Sequence, residues 1–165
     1  MAHHPLQIDL RSLPDEGIDI SGSLPASFFG LKPDDIVQAT GPLAYELHVE
    51  RDDQDLIVYG TLEAPFALTC GRCVESFPYQ VSMESYQTEL EIPSDTSTMD
   101  LTEALREDML LALPSYPRCE DGNVESRECP AQGRFQSESD DDAPSQPEGQ
   151  GQAVWDVLDK LPKPR

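Results

Sequence analysis

The stretch "FALTCGRCVESFPYQV", Phe66 to Val81, decides the fold, because it places two cysteines where one predicted strand meets the next. A mostly apolar run leads into Cys70, and apolar residues return at alternate positions from Phe77, which is typical of a strand with one buried face. Gly71 permits the tight backbone that the turn requires. The sequence therefore predicts two strands joined by a short turn that carries both thiols.

A hairpin is predicted upstream of this stretch. Apolar residues alternate with polar ones from Leu43 to Val49, and the polar sequence "RDDQD" then forms a turn into the strand before the cysteines. On this pattern His48 falls on the solvent-facing side of its strand. Gly60 and Pro65 interrupt the second strand, which indicates a bulge or an edge position there.

The strand after the cysteines contains a change of parity. Its apolar positions are odd-numbered as far as Met83 and even-numbered from Tyr86. Because successive side chains point to opposite faces of a sheet, one extra residue returns the apolar side chains to the buried face. We therefore predict a β-bulge around Glu84 and Ser85.

A helix is predicted from Asp100 to about Leu113, within "MDLTEALREDMLLALP". Asp100 has the character of an N-cap, Glu103 occupies the capping-box position, and Pro114 ends the helix. Helical spacing places several apolar residues on one face. These are Leu101, Ala104, Leu105, Met109 and Ala112.

The first 42 residues give weaker signals. A short apolar alternation between Leu6 and Leu10 predicts one strand. Residues 17–30, "GIDISGSLPASFFG", are interrupted by Gly, Pro and Ser and predict an irregular loop. The following sequence "KPDDIVQATGP" predicts a turn of helix capped by Asp34 or Asp35.

The C-terminal part divides into two segments. Residues 136–152, "QSESDDDAPSQPEGQGQ", contain no apolar residue larger than alanine and predict a disordered acidic linker. Residues 153–165, "AVWDVLDKLPKPR", regain helical spacing and predict a short docking helix. We expect Trp155, Leu158 and Leu161 to bind a partner, or to dock on the chain's own domain.

Together these patterns predict an α+β fold. We expect an antiparallel, bulged β-sheet with one main helix, a cysteine-pinned loop and a short C-terminal helix. The predicted boundaries are an α+β domain at residues 1–135, the linker at 136–152 and the docking helix at 153–165.

The charge of the chain is strongly acidic. Lys and Arg total 11 against 32 Asp and Glu among 165 residues, a formal net charge of -21. Nucleic-acid affinity depends largely on Lys and Arg, so the chain as a whole should repel phosphate backbones. A partner attracted by charge is therefore expected to be a basic protein, and an anionic membrane is not expected.

The sequence contains no familiar catalytic motif. It has no phosphate-binding Gly-rich loop, no HExxH and no GxSxG, and most of its carboxylates fit a solvated surface. We expect a protein that is not an enzyme. The N-terminus has no signal-peptide pattern and no run reaches the length of a membrane span, so we expect a cytoplasmic protein. His3 and His4 are assigned no role.

The four cysteines allow three uses. Cys70 and Cys73 supply half of a tetrahedral zinc site, and Cys119 and Cys129, in a polar stretch with little hydrophobic reason for order, would complete it. Ordinary free thiols are the second use. A redox pair is the third, although the continuing strand after Cys73 lacks the helix N-terminus that usually activates such thiols. We expect one structural zinc.

Four arginines lie near these cysteines in the sequence. In so acidic a chain they are candidate contacts for single-stranded RNA, together with exposed aromatic residues of the sheet. The alternative is that they balance the charge of the metal-bound thiolates. The four are Arg72, Arg118, Arg127 and Arg134.

Several of these motifs, in this order, resemble a known family. The strand into the cysteine pair, the stretch "MDLTEALREDMLLALPSYPRC" and the closing "VWDVLDKL" are similar to the YceD-like large ribosomal RNA subunit accumulation proteins. The resemblance covers Pro65 to Cys129 and the last dozen residues. It maps the family's cysteines onto Cys70, Cys73 and Cys129, with Cys119 where some members have histidine.

The resemblance implies a bacterial or organellar factor needed for accumulation of large-subunit ribosomal RNA, and it brings no catalytic residues. Combined with the charge, it predicts a non-catalytic ribosome biogenesis factor. We expect it to act through a basic ribosomal protein or a large-subunit assembly intermediate. Direct binding of single-stranded RNA is the alternative, and a thiol redox function is a more distant one.

Overall fold

A computed structural model of the chain describes residues 5–125 and 127–134. The predicted acidic linker and docking helix, residues 136–152 and 153–165, lie outside the described residues. A compact unit ends at Gln132, and Gly133 and Arg134 belong to a second unit. No helix within the described part of the chain is long and apolar enough to cross a membrane.

The compact unit is mostly antiparallel sheet with one main helix, so the predicted α+β class is confirmed in outline. The strands are β1 (Gln7–Asp9), β2 (Ile18–Leu24), β3 (Val37–Ala39), β4 (Leu43–Asp52), β5 (Asp55–Thr69), β6 (Ser76–Glu91) and β7 (Thr98–Asp100). The helix α1 spans Thr102–Leu111, and two 3-10 turns span Ala26–Phe29 and Cys119–Asp121.

Strand β5 lies at the centre of the larger sheet. One of its edges pairs with β6, and its other edge pairs first with β4 and then with β3, while β2 pairs with the far side of β4. Pro65 lies where β4 gives way to β3, and its carbonyl accepts a hydrogen bond from the amide of Thr40. In an antiparallel strand the N–H and the carbonyl of one residue point towards the same neighbouring strand. The missing N–H of Pro65 therefore faces the gap between β4 and β3, where the loss of a donor costs least. The predicted interruption at Pro65 is therefore a junction and not a sheet edge.

The hydrophobic core lies on one face of this sheet. In β4, Leu43, Tyr45, Leu47 and Val49 are buried while the residues between them are not, as the alternation predicts. Alternate residues of β5 continue the same buried face as far as Cys70. The core therefore extends along β5 to the first cysteine of the CxxC pair.

The predicted bulge in β6 is confirmed. Met83 pairs with Leu62 and Tyr86 pairs with Gly60, so Glu84 and Ser85 together oppose a single residue of β5. The extra residue allows both Val81 and Tyr86 to be buried. Gly60 faces this bulge with φ of 152°, a backbone conformation that residues other than glycine rarely adopt.

Helix α1 covers the core, although it begins at Thr102, slightly later than predicted. Leu101, Leu105 and Met109 recur at every fourth position and are buried. The Asp100 carboxylate accepts a hydrogen bond from the amide of Thr102. Glu103, predicted for a capping box, instead forms an ion pair with Arg106.

Two predictions in the first third are wrong. Residues 17–30 are not an irregular loop, because β2 pairs with β4 over its whole length and a 3-10 turn follows it. The turn of helix predicted within residues 32–42 is absent from the described residues. There the Asp35 carboxylate accepts a hydrogen bond from the amide of Lys32, and a short strand follows from Val37. In both places pairing with a neighbouring strand overrides a weak local preference.

Candidate metal centre

Four thiols meet at the end of the large sheet. Cys70 follows the last residue of β5, and Cys73 lies in the turn that leads to β6. Cys119 begins a 3-10 turn in the segment after α1, and Cys129 lies in the loop that follows. The fold thus brings together all four cysteines that the sequence singled out.

The spacing of the sulfur atoms fits a tetrahedral metal ion. All four Sγ atoms lie within 4.8 Å of one another. Cys73 and Cys119 are 3.5 Å apart, and Cys70 and Cys129 are 3.8 Å apart. Four thiolates around one zinc at Zn–S of about 2.3 Å would be separated by about 3.8 Å. The thiols are free and too far apart to be disulfides.

The CxxC turn is stabilised by its own backbone. The amide of Arg72 donates a hydrogen bond to Cys70 Sγ at 3.4 Å, and the amide of Val74 donates to the carbonyl of Cys70. Val74 has φ of 62°, which is unusual for a β-branched residue. This conformation occurs at the end of the hydrogen-bonded turn that runs from Cys70 to Val74.

The second pair of cysteines is held by similar turns. The amide of Gln132 donates to the carbonyl of Cys129, and the amide of Ala131 hydrogen-bonds the Cys129 thiol. The two halves are also joined directly, because the amide of Gly71 donates to the carbonyl of Pro117. Backbone N–H groups directed at sulfur are the outer hydrogen bonds that orient and stabilise metal-binding thiolates.

The surroundings shift the pKa values of Cys70 and Cys119 in opposite directions. Burial disfavours a thiolate at Cys70, but hydrogen bonds from the amides of Cys73, Arg72 and Cys119 outweigh it and lower the pKa of Cys70 to about 6. Burial raises the pKa of Cys119, and hydrogen bonds to the neighbouring thiols raise this pKa further. One sulfur is therefore prepared to be a thiolate, and a bound cation would favour deprotonation of the others.

The burial of the site favours a structural role for its sulfur atoms. Cys70 and Cys119 are fully buried and Cys129 is nearly so, whereas Cys73 is partly exposed. A catalytic zinc requires an open position, and a redox thiolate requires access for its substrate. The lowered pKa of Cys70 meets one requirement of redox chemistry, but its sulfur is enclosed. The geometry fits a closed four-cysteine zinc site better than either alternative.

Three of the four candidate RNA-binding arginines lie in the same compact unit as the cysteines. Arg72 forms an ion pair with Glu120 at 2.7 Å, and Arg127 forms one with Glu75. The Arg118 guanidinium lies 5.5 Å from the centre of the Tyr116 ring. Arg134 is exposed and belongs to the second unit.

The local charge around the cysteines is acidic despite these arginines. Residues 70–76 and 116–131 contain five carboxylates against three arginines. Two of the arginines already have carboxylate partners that connect the CxxC side of the site with the segment after α1. Arg72 and Arg127 therefore have the contacts of residues that join two segments of the chain.

Asn123 is a structural residue that the sequence did not reveal. Its side-chain oxygen accepts a hydrogen bond from the amide of Gln80, and its side-chain nitrogen donates to the carbonyl of Gln80. The Asn123 amide thus pairs with β6 as a peptide group of a neighbouring strand would. This contact attaches the loop between Cys119 and Cys129 to the sheet independently of any metal.

The part of the chain that follows the CxxC turn also carries a family match. Residues 82–162 match the family described as Large ribosomal RNA subunit accumulation protein YceD. Over this span, which is just under half of the chain, the protein is similar to the YceD family. No curated protein and no solved structure gave a significant match.

The YceD span includes only half of the cysteine site. It contains the second part of β6, all of α1, Cys119 and Cys129, whereas Cys70 and Cys73 precede it. The resemblance predicted from the sequence, which began at Pro65, therefore starts earlier than the match. The YceD description names ribosomal RNA accumulation and no chemical reaction.

The predicted partner-binding residues are also within the YceD span. Trp155, Leu158 and Leu161 fall between residues 82 and 162, but they lie outside the described residues. Their role in binding stays a prediction.

Proposed function

We propose that this protein is a non-catalytic ribosome biogenesis factor that supports accumulation of large-subunit ribosomal RNA. It acts by holding a basic ribosomal protein, or a basic assembly intermediate, until the RNA binds that partner. The observation that carries the proposal is a YceD match in a chain with 32 acidic and 11 basic residues. Its place of action is the cytoplasm, where unassembled ribosomal proteins are found.

Charge is the physical basis of this proposal. Ribosomal proteins are basic because they bind phosphate, and an acidic surface attracts them and accelerates encounter. Exposed ion pairs are individually weak and are screened by salt, so the complex is reversible. RNA, with its higher charge density, then displaces the acidic protein.

A structural zinc would serve this function by holding the segment that carries Cys119 and Cys129 in place. Cys70, Cys73, Cys119 and Cys129 would bind the ion, which would supply cross-linking and no reaction. None of the described residues between Cys119 and Cys129 is buried, so this polar segment has no core of its own. The metal would fix this segment against the end of β5 and the start of β6.

The same charges argue against direct RNA binding as the main activity. Arg72 and Arg127 have carboxylate partners, and carboxylates outnumber arginines around the cysteines. A gel-shift experiment with single-stranded RNA at low salt tests the alternative. Binding that falls steeply with salt would favour it, whereas no binding is expected.

The experiment that tests the proposed function compares cells that lack this protein with cells that carry it. We expect a selective fall in the ratio of large-subunit to small-subunit ribosomal RNA in the deletion. Restoring the wild-type gene should restore the ratio. An unchanged ratio under normal growth and cold stress would contradict the proposal.

The proposed mechanism is tested separately by binding. The full chain, immobilised at low and at physiological salt, is mixed with purified large-subunit ribosomal proteins. Retention of basic proteins that decreases with salt is expected. Recovery of none at either salt concentration would contradict the holding mechanism, even if the ribosomal RNA ratio falls in the deletion.

A further inference from the structure

A groove lies between β6 and the last turn of α1. It has a volume of about 480 Å³, and its walls include Met83 and Tyr86 from the strand and Asp108 and Leu111 from the helix. Leu111 is 80% exposed, although it follows two turns of helix that pack against the core. One exposed leucine is ordinary on a protein surface, so the case for a binding site depends on the strand and the charges beside it.

The strand side of the groove is a sheet edge. Within residues 5–125 and 127–134, β6 pairs with β5 alone. The backbone of Gln80 shows that this edge accepts an amide partner, since its N–H and carbonyl both bond the side chain of Asn123. Farther along, between the bulge and Glu91, the edge is available for another strand.

The charge of the groove indicates what kind of chain it binds. The lining of the groove includes one carboxylate, that of Asp108, which accepts a hydrogen bond from the Tyr86 hydroxyl. Residues 82–112 as a whole include eight carboxylates and one basic residue. That residue, Arg106, already donates to the carbonyl of Phe28 and pairs with Glu103. The groove thus combines an open backbone edge and an exposed apolar side chain with two flanking elements, β6 and α1, in which carboxylates outnumber basic residues.

We propose that this groove binds an extended segment rich in Lys and Arg, which adds to β6 as a further strand. Backbone hydrogen bonds to residues 86–91 give affinity, Leu111 contacts an apolar side chain of the segment, and the surrounding carboxylates select basic residues. The inference rests on the proposed function, in which the partner is a basic protein. All of the groove lies within the YceD span.

Hydrogen exchange of the full-length protein tests the binding mode. The probe is a synthetic peptide of sequence KVKVKVK at low salt, and the control is the peptide EVEVEVE. We expect the basic peptide to slow amide exchange in residues 86–91, and the acidic peptide to leave it unchanged. Slowing confined to other parts of the chain would overturn the proposal.

Two matched variants test the contribution of the groove. Leu111→Ser removes its exposed apolar side chain, and Ile36→Ser removes one that is 67% exposed outside the groove. Leu111→Ser is expected to weaken binding of the basic peptide about tenfold, as loss of a central contact does, and Ile36→Ser to leave it unchanged. Both residues are largely exposed, so both variants should fold. Equal affinities of wild type and Leu111→Ser would overturn the proposal.

The chain's own C-terminal segment is the competing occupant. If it fills the groove, full-length Trp155→Ser without peptide would exchange residues 86–91 faster than wild type. That result would overturn the proposal of a separate partner, whereas equal exchange supports it.

Binding to purified large-subunit ribosomal proteins separates this inference from the proposed function. Retention by wild type and its loss in Leu111→Ser supports both. Equal retention by both proteins overturns the groove and leaves the proposed function intact. No retention by wild type contradicts the proposed holding mechanism itself.

Discussion

The Sγ atoms of Cys73 and Cys119 lie 3.5 Å apart, although 46 positions separate the two residues in the sequence. One belongs to the turn between β5 and β6 and the other to the segment after α1. Their contact closes a loop that includes all of β6, β7 and α1. Closing such a long loop costs conformational entropy when the chain folds. A metal ion bound by both cysteines would hold the loop closed and should therefore stabilise the fold.

Replacement of Cys73 by serine is expected to abolish binding of one zinc ion per chain, because a serine hydroxyl is a poor zinc ligand. Structural zinc contributes on the order of 10 kcal/mol of apparent binding free energy in small domains, so the midpoint of urea unfolding should also fall. Mass spectrometry of the metal content measures the first effect. Val124→Ser, an exposed change in the segment between Cys119 and Cys129, should retain zinc. Full zinc content in Cys73→Ser would refute the four-cysteine site.

Replacement of Val74 by glycine is expected to stabilise the domain. Val74 has φ of 62° and is 76% exposed, so it has backbone strain with little burial to offset it. A left-handed conformation costs an L-residue about 1–2 kcal/mol, and the added freedom of glycine in the unfolded chain costs about 0.4–1 kcal/mol. The net gain should be up to about 1 kcal/mol in urea unfolding.

Val124 provides the control for this prediction. It is also an exposed valine, but it is not among the described residues with positive φ. Val124→Gly should therefore lower the free energy of unfolding by the entropic cost alone. If both glycine variants lose the same stability, Val74 is not strained.

The parts of the fold predicted from sequence are those with strong periodicity. Alternation identified β4, the change of parity located the bulge at Glu84 and Ser85, and helical spacing identified α1. Strand β2 was missed because its sequence "IDISGSL" has little apolar alternation, and β3 because it has only three residues. Both exist through pairing with longer strands, which a local pattern does not contain.

For the candidate metal site, the sequence carries a clear signal for the first pair of cysteines and a weak one for the second. The spacing of Cys70 and Cys73 is a recognisable motif, and it correctly indicated a turn between two strands. The gap between Cys119 and Cys129 fits no single motif, so only the fold shows that their sulfur atoms approach the first pair. The role of Asn123 depends on Gln80, which is 43 positions away, and no local signal could indicate it.

Replacement of Gly60 by alanine is expected to be strongly destabilising. An added Cβ would lie 2.1 Å from the carbonyl oxygen of Glu46, and φ of 152° is unfavourable for alanine. The neighbouring backbone of β4 cannot move away without breaking the central pairing. We expect a loss of at least about 2 kcal/mol in the free energy of unfolding.

Gly30 is the matched control for Gly60. It has a positive φ of 65°, but an added Cβ would meet no atom within 4 Å. Gly30→Ala should therefore show only the backbone cost of about 1 kcal/mol. Equal losses from the two substitutions in urea unfolding would show that β4 yields to the added methyl group.

The hydrogen bonds of His48 predict a pH-dependent contribution to stability. Its Nδ1 lies 2.7 Å from the Asp19 carboxylate and its Nε2 lies 3.1 Å from the carbonyl of Glu16. Both partners are acceptors, so both ring nitrogens must carry a proton to satisfy them. The hydrogen bond with Asp19 is the main reason that the pKa of His48 is raised above 6.5, and Glu50, 3.9 Å away, adds to it.

Because the pKa of His48 is higher in the folded chain, its protonation stabilises the fold fully below pH 6.5 and ceases to do so as pH rises through the folded-state pKa. We expect the midpoint of urea unfolding to decrease over this interval in wild type, and to decrease less in Asp19→Asn. Glu89→Gln, which changes the net charge equally on β6, should retain the wild-type decrease. The same pH profile in wild type and Asp19→Asn would show that the pair between β2 and β4 does not hold the proton.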